Sequence, residues 1–213
     1  MMQRVLAAAA VAALLFGAVP ADALLKTGVS AGMNFSSLGD VKVTDYETTY
    51  DSRTGWHIGV FGAGDLGPIG VRAGLLYTDA GALFDGIGDT PGLPADFKED
   101  FRVRYIALPI DFQWRFVLPP IRPYLLAGPE FRYDLTSDDA FEGNIKKTTL
   151  AANIGVGLEL GLPLLGVSVT PEIRYCFDLQ EITDKTLEIG GVGFETDGAY
   201  KGSAWVFRLH VGF

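Results

Sequence analysis

Apolar and polar residues alternate along the end of the chain. Trp205, Phe207, Leu209, Val211 and Phe213 fall on one face, and Val206, Arg208, His210 and Gly212 on the other. A period of two marks an extended strand whose two faces meet unlike surroundings. The same pattern recurs upstream. Trp56, Ile58 and Val60 oppose His57, Gly59 and Phe61, while Ile69, Val71, Ala73, Leu75 and Tyr77 oppose Gly70, Arg72, Gly74 and Thr78. Leu150, Ala152, Ile154, Val156, Leu158 and Leu160 oppose Asn153, Gly155, Gly157 and Glu159. Val167, Val169, Ile173, Tyr175 and Phe177 oppose Ser168, Thr170, Glu172, Arg174 and Asp178. The pattern predicts eight strands: Leu25–Phe35, Gly55–Ala63, Ile69–Thr78, Phe101–Phe116, Arg122–Asp134, Thr149–Leu160, Val167–Asp178 and Ser203–Phe213.

The connections between them alternate too. After the odd-numbered strands they are long and polar, at 36–54, 79–100, 135–148 and 179–202. After the second, fourth and sixth they are short, at 64–68, 117–121 and 161–166. Each strand reaches the roughly 9–11 residues that a tilted strand needs to cross a bilayer. Short turns at one end and long loops at the other predict an all-β fold, an eight-stranded antiparallel up-and-down transmembrane β-barrel. Both termini then lie at the short-turn, periplasmic end.

A soluble sandwich or lipocalin-like barrel would alternate in the same way, with its apolar face inside. Two features argue against it. Aromatic residues gather at strand ends on the apolar face: Trp56, Tyr77, Tyr133, Tyr175 and Trp205, with Phe35 and Phe177, at the long-loop end, and Trp114, Phe116 and Phe213 at the other. Two such girdles fit rings seated at both membrane interfaces. The opposite face carries Gly and charge of both signs. Assigned to the interior are Lys26, Arg72, Arg115, Arg132, Arg174 and Arg208 against Asp111, Glu130, Asp134, Glu159, Glu172 and Asp178. Buried charges persist only when paired, and an eight-stranded barrel is just wide enough for side chains to fill it. The interior therefore reads as a polar plug, an ion-pair network in which Arg132, Arg174 and Arg208 act as forks for Glu130, Glu159 and Glu172.

Two places break the pattern. In the fourth strand Arg102 and Arg104 occupy even positions and Asp111, Gln113 and Arg115 odd ones. The phase flip predicts either a bulge between Ile106 and Pro109 or a segment 101–105 that projects above the membrane. Pro129 and Pro171, in mid-strand, are expected to mark further bulges.

Composition adds location. Arg4, the small apolar run Val5–Val19 and Ala21-Asp22-Ala23 predict a cleavable signal peptide over residues 1–23, with the barrel domain at 24–213. A membrane anchor is the alternative, but the run of about 15 residues falls short of the roughly 20 a helix needs. The chain is 48% hydrophobic. No later segment offers the apolar run of about 18 residues that a spanning helix requires. Cys176 is the single cysteine, so no intrachain disulfide or cysteine metal site is expected. The net charge of −9 argues against a nucleic-acid partner. The acidity sits in the long loops, which hold 18 acidic and 7 basic residues. Solvation accounts for it, and divalent-cation bridging to anionic surface lipid is the sharper alternative.

These stretches resemble a known family. "LKTGVSAGMNFSSL" at 25–38, "GWHIGVFG" at 55–62 and "GLLYTDAG" at 74–81 are similar to the first three strands of the PorT-like outer-membrane β-barrel family, small barrels related in architecture to OmpA and OmpX. "YIALPIDFQWRF" at 105–116 and "RPYLLAGPEFRYDL" at 122–135 resemble its most recognisable pair. "TLAANIGVGLEL" at 149–160, "PEIRYCFDL" at 171–179 and the terminal Phe213 complete the likeness. It implies an integral outer-membrane protein of a Gram-negative-type bacterium. Some members are accessory parts of a secretion apparatus, and most have no assigned role. The terminal Phe213 points to the barrel-assembly machinery as a partner, with outer-membrane lipid as the surroundings and an extracellular or cell-envelope partner for the loops.

Candidate chemistry is sparse. A lipid-modifying enzyme needs a nucleophile, a base and an orienting acid close together. His57 and His210 are expected at opposite ends of the barrel, and no serine adjoins His210 in sequence; His57 with Asp51 and Ser52 is the best cluster available. No metal-ligand spacing, phosphate loop or cofactor motif is present. The leading expectation is a structural or interaction barrel acting through its acidic loops. A narrow ligand or ion conduit comes second, and an enzyme third.

Overall fold

The computed structural model describes residues 26–38, 41–43, 46–48, 53–66, 69–82, 102–116, 121–135, 147–179, 186–189, 192–195 and 202–213. The expected signal peptide lies outside the described residues, as do Asp51, Ser52 and much of the long connections. In chain order the strands are β1 (Lys26–Leu38), β2 (Val41–Val43), β3 (Tyr46–Thr48), β4 (Arg53–Leu66), β5 (Ile69–Ala82), β6 (Arg102–Arg115), β7 (Ile121–Asp134), β8 (Thr148–Leu162), β9 (Val167–Asp178), β10 (Thr186–Ile189), β11 (Val192–Glu195) and β12 (Gly202–Gly212).

Eight long strands close into a barrel in the order β1-β12-β9-β8-β7-β6-β5-β4, with β1 pairing antiparallel to both β4 and β12. Two short hairpins, β2–β3 and β10–β11, stand apart from it in connections expected to be plain loops. Closure leaves no free edge, so every wall strand pairs on both sides, as a lipid-spanning sheet requires.

The faces are inverted relative to a water-soluble protein. Val60, Leu75, Ile154 and Val156 are each more than half exposed on the outer wall, while Arg174, Asp111 and His57 are 0–2% exposed within. A continuous apolar exterior around a charged interior has its physical home in hydrocarbon.

The phase break in the fourth strand is not a bulge within that strand. Tyr105, Ala107, Pro109 and Asp111 alternate inward without a phase flip, and the β6–β7 register runs unshifted from Tyr105↔Asp134 to Arg115↔Tyr124. No bulge lies between Ile106 and Pro109. The irregularity falls on the partner strand, between Asp79↔Arg104 and Ala82↔Arg102. There Gly81 takes φ 86°, and its N–H donates to Asp79 Oδ1 at 3.0 Å. Glycine accepts positive φ without a Cβ penalty, so the extra residue is absorbed at that point. Arg104 points away from the interior with its side chain 50% exposed, its Nε 3.7 Å from Asp79 Oδ2.

Pro129 and Pro171 are not bulges either. Each keeps its register, as does Pro109, and pairs on one side: Pro109↔Glu130, Pro129↔Ala152 and Pro171↔Leu209. On the other side two consecutive pairs are missing. The gaps fall between Ala73↔Ile110 and Leu76↔Ala107, between Pro109↔Glu130 and Phe112↔Ala127, and between Gly157↔Glu172 and Leu160↔Val169. Proline lacks an N–H, so each removes a rung toward one neighbour. The rungs above and below hold the alignment.

Interior glycines make room for large cross-strand partners. Gly157 pairs with Tyr124, and a Cβ built on it would lie 2.2 Å from Tyr124 Cζ. Gly157→Val should push Tyr124 off its seat and destabilise the barrel by about 1–3 kcal/mol, the usual range for overpacking. Urea titration in liposomes reads the loss. An unchanged midpoint would mean that the ring has room elsewhere.

Candidate functional site

The chemistry of this chain faces inward, because alternate residues of every wall strand must point into the barrel. At the centre, Arg72 of β5, Asp111 of β6, and Glu172 and Arg174 of β9 form a quartet with side chains 0–5% exposed. Arg174 grips Asp111 with two parallel bonds, Nη1 to Oδ1 at 3.1 Å and Nη2 to Oδ2 at 2.9 Å, the bidentate geometry that suits guanidinium and carboxylate. Its Nε donates to Glu172 Oε1 at 2.7 Å. Arg72 Nη2 donates to Asp111 Oδ2 at 3.0 Å and also to Glu172. The Tyr124 hydroxyl donates to Glu172 Oε2 at 2.7 Å. Two cations and two anions thus neutralise each other across the lumen.

Toward the long-loop end, Arg132 joins two carboxylates, with Nε to Glu130 Oε1 and Nη1 to Asp178 Oδ1, both 2.7 Å. Asn153 Nδ2 adds a bond to Glu130 Oε2 at 3.3 Å, and the Cys176 thiol donates to Asn153 Oδ1. Toward the short-turn end, Lys26 Nζ donates to Glu159 Oε1 at 2.7 Å, and Arg115 pairs with Asp65. Three layers of ion pairs therefore run the length of the interior.

All nine residues of the expected network lie inside, but the pairing differs. Glu159 goes to Lys26, not to an arginine fork, and its Oε2 is 4.0 Å from Arg115 Nε. Arg208 donates its Nε to His57 Nε2 at 3.0 Å instead of to a carboxylate. Since Nε2 accepts, the His57 ring proton sits on Nδ1 and is donated to Asn34 Oδ1 at 2.8 Å. His57 and His210 therefore do not lie at opposite ends of the barrel, since Arg208, which His57 meets, is only two residues from His210. Parity along β1 carried a signal for Ser30 and Asn34, which share a face with Lys26. Tyr124 shares one with Glu130 and Arg132. Asp65, read as part of a turn, is the end of β4.

A serine does reach His210. Ser30 Oγ lies 2.7 Å from His210 Nδ1, and His210 Nε2 lies 3.6 Å from Glu172 Oε2. A hydroxyl, an imidazole and a carboxylate in line have the composition of a nucleophile–base–acid set. Ser30 is only 2% exposed, however, and Glu172 is committed to two arginines and a tyrosine. Ser30 and His210 share a buried hydrogen bond, and Glu172 Oε2 stands beyond hydrogen-bond reach of the ring.

On the outer wall, the girdle residues sit near the strand ends. Trp56 and Trp205 are 47% and 55% exposed at one end, Trp114 and Phe213 57% and 68% at the other. Tyr175 packs between Trp205 and Phe177, with ring centroids at 5.2 and 6.2 Å, and Trp56 meets Tyr77 at 5.6 Å. Tyr77, Tyr133 and Tyr175 are half-buried.

Solved structures of outer-membrane proteins are similar to this chain. Neisserial surface protein A (NspA) matches with a TM-score of 0.52 at 13% sequence identity, over 89% of this chain and 97% of that one. A major outer membrane protein from Thermus thermophilus matches with a TM-score of 0.47 at 17% identity, over 89% of this chain and 100% of that one. At 13% identity the likeness to NspA is one of fold. No curated protein matches the sequence. The model of the outer membrane protein beta-barrel domain family matches residues 8–213, without singling out the PorT-like branch. A closed barrel with an apolar wall and a charged interior, matched over nearly its whole length, this chain belongs to the outer membrane protein beta-barrel domain family.

Proposed function

We propose that this protein is a structural or interaction barrel of the outer membrane of a Gram-negative-type bacterium, its interior plugged and its acidic loops turned to the cell exterior. Residues 1–23 act as the export signal, and Phe213 as the feature read by the barrel-assembly machinery. The loops meet a partner outside the cell or in the envelope. One observation supports the reading: three layers of paired charge, centred on the Arg72–Asp111–Glu172–Arg174 quartet, lie inside an eight-stranded barrel, a width that side chains can fill. Ions crossing the lumen would have to break pairs held in a low-dielectric interior, where unpaired charge is expensive.

The purified wild type in a planar bilayer should be electrically silent at moderate voltages. A steady, ion-selective conductance would overturn the plug and make the protein a conduit. The same chemistry disfavours an enzyme, since the serine that reaches His210 is sealed from substrate.

A further inference from the structure

We propose that the short-turn end of the barrel interior is a binding site for a single halide-sized anion. A cavity of about 30 Å³ lies there, just inside the mouth where Lys26 is 34% exposed. That volume suits one or two occupants of water size.

Cationic side chains outnumber carboxylates on the wall. Lys26, Arg72 and Arg115 line it against one carboxylate, Glu159, whose Oε1 already accepts from Lys26 at 2.7 Å. Two buried nitrogens on the wall have no hydrogen-bond partner, Arg115 Nε and His210 Nε2. Arg115 Nε is a donor by chemistry. For His210, which is 2% exposed, the neighbours settle the tautomer. Its Nε2 points toward Glu172 Oε2 at 3.6 Å, and a carboxylate can only accept, so Nε2 carries the proton and Nδ1 accepts from Ser30. Gln113, also on the wall, accepts from Arg115 Nη2 at 2.7 Å through its carbonyl oxygen. The hydroxyls of Ser168 and Thr170 complete the wall.

The nearest carboxylates stand beyond hydrogen-bond reach of these two donors: Glu159 Oε2 is 4.0 Å from Arg115 Nε, and Glu172 Oε2 is 3.6 Å from His210 Nε2. Asp65 is taken by Arg115, and Asp111 and Glu172 by Arg72 and Arg174. A water molecule would accept from two donors and bring two hydrogens of its own to a wall where cations outnumber carboxylates. An anion accepts from all of them and brings none. Buried donors left unsatisfied are costly, and an anion that accepts from them removes that cost. The site shares Arg72, Lys26, Arg115 and Glu159 with the plug, but the two are read separately: conductance tests the plug, and a bromide peak tests the anion site.

The full-length protein in detergent should be crystallised and soaked in sodium bromide, with its thermal midpoint titrated in parallel at constant ionic strength against sodium gluconate. An anomalous bromide peak between Arg115 Nε and His210 Nε2 is expected. The midpoint should rise saturably with chloride and with bromide but not with sulfate. In Gln113→Glu, which sets a carboxylate on the wall, the halide dependence should vanish while unboiled samples keep their shifted gel mobility. A wild-type map without the peak, or midpoints that respond alike to halide and sulfate, would overturn the proposal in favour of water alone. The wild-type map decides the matter even if the variant fails to fold.

Discussion

Glu172→Ala should lower the stability of the barrel by about 3–5 kcal/mol, the cost of breaking a buried ion pair from one side. The carboxylate accepts from Arg72, Arg174 and Tyr124, and its loss leaves two buried guanidiniums sharing Asp111. Urea titration in liposomes measures the change. Removing Arg174 as well should cost much less than the sum of the two single losses, since groups in one network are not additive. Additive losses would mean that Glu172 and Arg174 are solvated separately. On the proposal that the quartet closes the lumen, the Glu130→Ala, Glu172→Ala double variant should also leak in a planar bilayer where the wild type is silent. A silent, fully stable double variant would remove the quartet from the account of the plug.

Val156→Arg should destabilise by about 2–4 kcal/mol, the cost of a cation at the bilayer midplane. Val156 lies midway along β8 on the outer wall, 52% exposed, between Leu125 and Ile173 of the neighbouring strands. Leu162→Arg, at the short-turn end of the same strand and 41% exposed, should cost only about 0–1 kcal/mol, because charge near the interface reaches water. Val156→Leu, which keeps the face apolar, should be nearly neutral. The depth dependence is the diagnostic outcome. Equal penalties at Val156 and Leu162 would mean that the outer wall does not sit in hydrocarbon.

Much of this was legible in the chain. The period of two is a property of the strand backbone, so the faces of Trp56 and His57, or of Ile173 and Arg174, follow from local geometry alone. Loop lengths gave the strand count and the end at which each turn lies. The aromatic ends and the mixed charge on the inner face then distinguished lipid outside from core outside. The two hairpins β2–β3 and β10–β11 escaped notice because three- and four-residue strands are too short to show a period.

The proline positions show where local reasoning stops. A mid-strand proline predicts a bulge, but Pro109, Pro129 and Pro171 each lose a rung on one side, and the closed barrel holds the register through the rungs around them. The register shift lies instead at Gly81, where the backbone can reach positive φ. The side-chain partners were equally beyond the sequence. Arg174 meets Asp111 from three strands away, Lys26 meets Glu159 across the lumen, and Ser30 meets His210 from opposite ends of the chain. Parity determines that a charge points inward. Which charge it meets depends on strand tilt, stagger and closure together, because these set the height at which each inward side chain enters the lumen.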